Sequence, residues 1–201
     1  MITAKNKYKI LLFIFSSIAF QSIFAQNWDI DLLKQINPRY PTNNNWKTIS
    51  STAEPLAVAV PIGMAAYALI SDNHKLEMKS YEVAGSLVLT AAITEGLKII
   101  NKRQRPYVDY PNDIHPDSYE TEYSFPSAHT SLAFSTATSL MLTTHKWYIA
   151  VPAYAWATSV GYSRMYLGQH YPSDVIAGAL VGVGSAYVAH WLNKKYFSKK
   201  K

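Results

Sequence analysis

Arg164, His170 and Asp174 stand at fixed intervals in residues 163–174, which read S-R-M-Y-L-G-Q-H-Y-P-S-D. A carboxylate four positions after a histidine shares its helical face, so Asp174 can hold the His170 imidazole in one tautomer. An imidazole held in this way is a usable nucleophile, and a neighbouring arginine can clamp an anion through two N–H groups. The competing reading is a surface loop in which Asp174 only caps the helix that Pro172 opens. A second histidine, His129, lies in F-P-S-A-H-T (125–130), behind a Pro-Ser pair and ahead of an apolar run. Lys98 and Arg105 stand seven positions apart in K-I-I-N-K-R-Q-R-P (98–106).

Phosphoryl transfer needs charge neutralised around three oxygens, an in-line nucleophile and a proton for the leaving oxygen. Lys98, Arg105 and Arg164 can form the cationic cage. Ser127 can add a hydroxyl donor, and Ala128 a backbone N–H from a helix start, where the dipole favours anions. Two histidines and an aspartate are also a zinc donor set. A dication among three cationic side chains would be repelled, so neither a metal nor a cofactor is expected.

The three blocks resemble, in order and at full spacing, the tripartite pattern of the type 2 phosphatidic acid phosphatase superfamily: K-x6-R-P, P-S-G-H and S-R-x5-H-x3-D. That superfamily also holds bacterial nonspecific acid phosphatases and vanadium haloperoxidases. The single departure is Ala128, where the pattern has glycine; alanine keeps the N–H and adds a methyl group. The resemblance covers residues 98–174. It implies that His170 attacks phosphorus and becomes a phosphohistidine, with Asp174 orienting and balancing its ring. It further implies that His129 protonates the leaving group and then activates the hydrolytic water, without a metal.

The elements that must position these residues are helices. Hydrophobic residues make up 49% of the 201 positions and charged ones 16%, well under the share in ordinary soluble chains. Five apolar segments (55–71, 81–101, 127–143, 147–162 and 175–192) are rich in Gly, Ala, Ser and Thr, as in tightly packed membrane helices. Strand patterns are absent. The expected class is therefore all-α: a bundle of five to six membrane-spanning helices with its active site at the extracytoplasmic face. Residues 28–36 read as an interfacial amphipathic helix and 37–47 as a loop.

Basic residues, a short apolar run and I-F-A before Gln26 describe a signal peptide over 1–25, or an uncleaved first membrane helix, ahead of a phosphatase-like helical domain over 26–201. Crossing the membrane five times from an external Gln26 puts 11 of the 19 Lys and Arg inside: three in 1–9, two in 72–80, one in 144–146 and five in the tail. This agrees with the positive-inside rule and gathers all three blocks at the outer face. The net charge of +6 comes mainly from the terminal lysines, and no nucleic-acid motif accompanies it. With no cysteine, disulfides and thiolate metal sites are excluded.

Other residues admit plainer roles. Asp109, Asp113, Asp117, Glu120 and Glu122 form an acidic stretch that reads as a solvated loop. Glu95, one turn before Lys98, reads as its ion-pair partner, and His145 and His190 as structural groups. The sequence therefore points to a multi-pass inner-membrane phosphatase whose site faces the periplasm and whose partners are the membrane and a lipid phosphate or diphosphate. The alternatives are a secreted soluble periplasmic acid phosphatase, a vanadate-dependent haloperoxidase and a non-catalytic lipid-phosphate-binding protein. Intact His129, His170 and Asp174 speak against the last, because binding alone needs only the cations.

Overall fold

The computed structural model describes residues 28–196; the expected signal peptide and the last five residues lie outside the described residues. The helices are α1 (28–36), α2 (Asn44–Ser51), α3 (Ala53–Ile70), α4 (His74–Asn101), α5 (Pro106–Asp109), α6 (Ala128–Thr144), α7 (Trp147–Tyr166) and α8 (Pro172–Tyr196). No strand occurs among the described residues. The chain is all-α, as its periodicity predicts. Two short helices are unexpected: α2 begins inside the expected loop 37–47, and α5 ends at Asp109, where the acidic stretch starts. The α4 helix starts earlier than its apolar run because Asn73 caps it, accepting from the Leu76 N–H at 3.0 Å.

The α6 helix is central and packs against α3, α4, α7 and α8. Its approach to α8 depends on missing side chains. A Cβ at Gly182 would lie 2.2 Å from the Ser131 carbonyl oxygen, and one at Gly178 would lie 2.7 Å from that of Ser127. The two backbones therefore touch along a glycine seam, which draws the start of α8 against the start of α6.

Hydroxyls fill much of the interior: Ser86 Oγ meets Ser139 Oγ at 2.7 Å, and Thr90 Oγ1 donates to Ser135 Oγ at 2.9 Å. The exterior is the reverse. Leu69, Ile70, Val88, Ile100 and Leu180 stand exposed. A bundle with a polar interior and apolar sides is built for lipid, where packing of small residues and interhelical hydrogen bonds hold helices together.

Among the described residues, three stretches are long and apolar enough to cross a membrane: Ala53–Ile70, His74–Asp109 and Pro172–Tyr196. The expected five to six spans go beyond those three. The α6 helix, at 17 residues and rich in Ser and Thr, and the α7 helix are not among the three.

The helices alternate in direction, so the end of α4, the start of α6, the end of α7 and the start of α8 meet at one end of the bundle. Near the other end, Glu82 Oε1 meets His190 Nδ1 at 2.7 Å, and Asn193 donates to the same carboxylate. His190 thus has the structural partner that its isolation in the sequence leaves open.

Candidate active site

Lys98 reaches the site from the last turn of α4, Arg105 from the residue that caps α5, and Arg164 from the last turn of α7. All three are buried. Lys98 and Arg105 line a cavity of about 380 Å³ together with Ala128, His129 and His170, and Arg164 is linked to it through Glu120, a lining carboxylate that it shares with Arg105. His170 arrives on the turn between α7 and α8. Gly168 makes that turn possible: it adopts φ +67°, and a Cβ there would sit 2.7 Å from the His115 carbonyl oxygen. Asn37 clamps the same turn, donating to the His115 and Tyr166 carbonyls at 2.9 and 2.8 Å and accepting from the His115 N–H.

The cationic cage is occupied by carboxylates of the chain itself. Glu120 meets Arg105 at 2.5 Å and Arg164 at 2.7 Å, and Glu122 pairs with Lys98. The acidic stretch is exposed at Asp109, Asp113 and Glu122, as its composition suggests, but it is also engaged with the site through Glu120 and Glu122. Asp109 accepts from the Tyr171 hydroxyl, Asp113 pairs with Lys34, and Asp117 accepts from Gln169. Burial works against ionisation of Glu120, but Arg164 and Arg105 override it and hold the carboxyl down at about 2. Lys98 holds the Glu122 carboxyl below its ordinary range. Glu95, the expected partner of Lys98, stands farther off at 3.7 Å. The Nε of Arg164 is a buried donor with no partner among the described residues.

His170 is almost wholly buried. Burial lowers its pKa to about 4, Arg164 and Arg105 push the same way, and Asp174 opposes them. The imidazole is therefore neutral at pH 7. Asp174 Oδ2 lies 3.7 Å from His170 Nδ1, too far for a direct hydrogen bond. Ser124 stands between them: its Oγ donates to Asp174 Oδ2 at 2.5 Å and lies 3.3 Å from His170 Nδ1. Asp174 Oδ2 also accepts from the Tyr171 N–H at 3.0 Å. With the serine proton committed to Asp174, the serine oxygen is free to accept from Nδ1–H. This leaves Nε2 of His170 with the lone pair.

His129, in the first turn of α6, lines the cavity, with its Nε2 3.9 Å from Glu54 Oε1 at the start of α3. Ala128 is the first residue of α6 and also lines the cavity. Ser127 caps that helix and is fully buried; its Oγ accepts from Thr130 Oγ1 at 2.9 Å, which leaves its own O–H available to donate. Arg103, Ser124, Asp29 and Glu120 also belong to this assembly, yet sequence reasoning did not single them out for it. Arg103 and Ser124 lie inside or beside the recognised blocks, and that adjacency was the one available signal.

The profile of the PAP2 superfamily matches residues 80–198. Over 145 residues the chain is 33% identical to the bacitracin transport permease protein BcrC of Bacillus licheniformis, covering 71% of this chain and 69% of that one. Over 101 residues it is 36% identical to an undecaprenyl-diphosphatase of Sulfolobus acidocaldarius, covering 48% of this chain and 47% of the relative. Its fold is similar to that of the crystallised transmembrane PAP2-type phosphatidylglycerolphosphate phosphatase of Bacillus subtilis, with a TM-score of 0.70, 24% identity and coverage of 95% and 96% of the two chains. With the family profile spanning more than half of its length, the chain belongs to the PAP2 superfamily.

Proposed function

We propose that this protein is a membrane phosphatase that hydrolyses a lipid phosphate or diphosphate monoester through a phosphohistidine on His170, without a metal, at the periplasmic face of the inner membrane. One observation carries the reading. Lys98 and Arg105 line one cavity beside two histidines, Arg164 joins them through Glu120, and all three cations are paired with carboxylates that a phosphate can replace. A bound phosphoryl group displaces Glu120 and Glu122, and the unpartnered Arg164 Nε–H becomes a further donor to it.

His170 Nε2 then attacks phosphorus, and the bond from phosphorus to the leaving oxygen breaks. Lys98, Arg105 and Arg164 stabilise the charge spread over the equatorial oxygens. His129, which takes up a proton as the anionic substrate enters, gives that proton to the leaving lipid alcohol or, for a diphosphate, the lipid monophosphate. A water then yields a proton to His129 and attacks phosphorus, the N–P bond breaks, and inorganic phosphate leaves a neutral His170. The relatives named for bacitracin transport and undecaprenyl-diphosphatase activity favour an isoprenoid or other lipid substrate. The apolar sides of the bundle favour the membrane enzyme over a secreted soluble phosphatase.

A phosphate-release screen tests the proposal. Purified protein in detergent with EDTA is offered phosphatidate, phosphatidylglycerophosphate, a polyprenyl diphosphate and a lipid A phosphate. Release from at least one of them is expected. Release from soluble esters alone would favour the acid phosphatase reading, and binding without release a non-catalytic one.

A further inference from the structure

Behind the His170–Asp174 pair lies a chain of polar groups that ends in α1. Arg103 is its centre. Its two terminal nitrogens donate to Asp174 Oδ1 and Ser173 Oγ on one side and to Asp29 Oδ2 on the other, each at 2.7 Å. Its guanidinium lies 3.7 Å from the centroid of the Tyr171 ring, which fixes its plane. Asp29 Oδ1 accepts from the Ser173 N–H at 2.8 Å, so this carboxylate also satisfies a backbone donor at the start of α8, 144 positions further along the chain. Asp29 and Asp174 are both buried. Two buried carboxylates sharing one guanidinium leave a net single negative charge behind a neutral imidazole. That is the charge an imidazole needs when phosphorylation makes its ring cationic.

Resting on the reading of His170 as the nucleophile, we infer that Ser124, Arg103 and Asp29 are positioning residues that hold the His170 ring and the Asp174 carboxylate from α1. Each link has a distinct task. Ser124 spans the 3.7 Å gap between Nδ1 and Asp174 and sets the tautomer. Arg103 keeps Asp174 turned toward Ser124 and the Tyr171 N–H, not toward the cationic cage. Asp29 keeps Arg103 from swinging to Glu120 or Glu122. None of the three lines the cavity, so their loss bears on turnover and not on substrate affinity.

The test compares kcat and KM of the purified full chain on p-nitrophenyl phosphate and on a lipid phosphate, with thermal unfolding followed in parallel. Ser124→Ala and Asp29→Asn should each lower kcat about ten- to a hundredfold, the range seen when partners that orient an imidazole are removed, with KM within about twofold of wild type. Arg103→Lys, which keeps the charge but not the fork, should recover part of the activity lost in Arg103→Ala. Lys34→Ala, which removes the surface pair of α1 with Asp113, should leave kcat unchanged. Wild-type kcat in both Ser124→Ala and Asp29→Asn would overturn the inference. So would a Lys34→Ala loss equal to that of Asp29→Asn, since docking of α1 would then explain both. If Arg103→Ala does not fold, Ser124→Ala and Asp29→Asn still decide, because each is nearly isosteric. His170→Ala separates the two readings: residual turnover there would refute the nucleophile, whereas a dead His170→Ala beside fully active Ser124→Ala and Asp29→Asn would refute only the chain.

Discussion

Replacing Glu120 with glutamine should tighten inhibition by phosphate or vanadate about tenfold. The carboxyl is held at about 2 against an ordinary 4.5, which corresponds to about 3 kcal/mol in favour of its charged form. The side chain is 32% exposed, so solvent screening reduces what an incoming anion must overcome to about 1.5 kcal/mol. An oxyanion that displaces glutamine in place of glutamate saves that amount, and about 1.4 kcal/mol is tenfold in affinity. The assay is competitive inhibition of p-nitrophenyl phosphate hydrolysis at pH 7 and fixed ionic strength, comparing the wild type with Glu120→Gln. A second comparison in higher salt should shrink the difference, because screening weakens the ion pairs that glutamate makes. An inhibition constant that is unchanged, or weaker by tenfold, would refute the reasoning. In that case Glu120 orients the two arginines for phosphate and does not compete with it.

Further outcomes follow from the same geometry. The kcat/KM profile should lose activity on acidification around pH 4 and not around 6.5, because burial lowers the His170 pKa to about 4 and protonation removes its lone pair. The Glu120 ion pairs should stabilise the loop fully above about pH 4.5 and be lost as the pH falls toward 2, since the folded value lies below the unfolded one; protease resistance of the loop against pH reads this out. His129→Ala should slow lipid phosphate hydrolysis far more than the first turnover of p-nitrophenyl phosphate, whose leaving group needs little protonation. Gly182→Leu should destabilise the protein by about 1–3 kcal/mol or more, because even a Cβ there meets the α6 backbone; thermal unfolding in detergent measures it. Single cysteines at Thr121 and Asn73 should label from opposite sides of the membrane, and labelling of both from outside would contradict the topology.

The sequence is legible here where chemistry is local and opaque where it depends on chain crossing. Lys98, Arg105, His129, Arg164, His170 and Asp174 stand in short blocks with fixed spacing, and the structure brings them to one end of the bundle. Each of the five apolar segments falls on one long helix, although α4 starts well before its segment and α8 runs past both ends of its own. The carboxylates tell the opposite story. Glu120 and Glu122 read as solvated because five acids in a loop usually are, and nothing local shows that three buried cations wait for them. The contact of Asp29 with Ser173 joins positions 144 residues apart, beyond the reach of any spacing argument. The indirect link from Asp174 to His170 was hidden for a subtler reason. A four-residue interval permits a direct hydrogen bond, and only the fold brings Ser124 between them. Membrane crossing is clearest for α3, α4 and α8 and less clear for α6 and α7, whose interiors carry more Ser, Thr and Tyr.

The central claim is that His170 carries the phosphoryl group without a metal. Purified protein in EDTA is mixed with radiolabelled substrate, quenched in alkali to preserve phosphohistidine, digested and mapped. The account predicts label on the peptide that contains His170, its absence in His170→Ala, and its accumulation in His129→Ala with p-nitrophenyl phosphate, where hydrolysis of the intermediate is slow. Label retained in His170→Ala, or turnover that stops in EDTA and returns with zinc or magnesium, would contradict it.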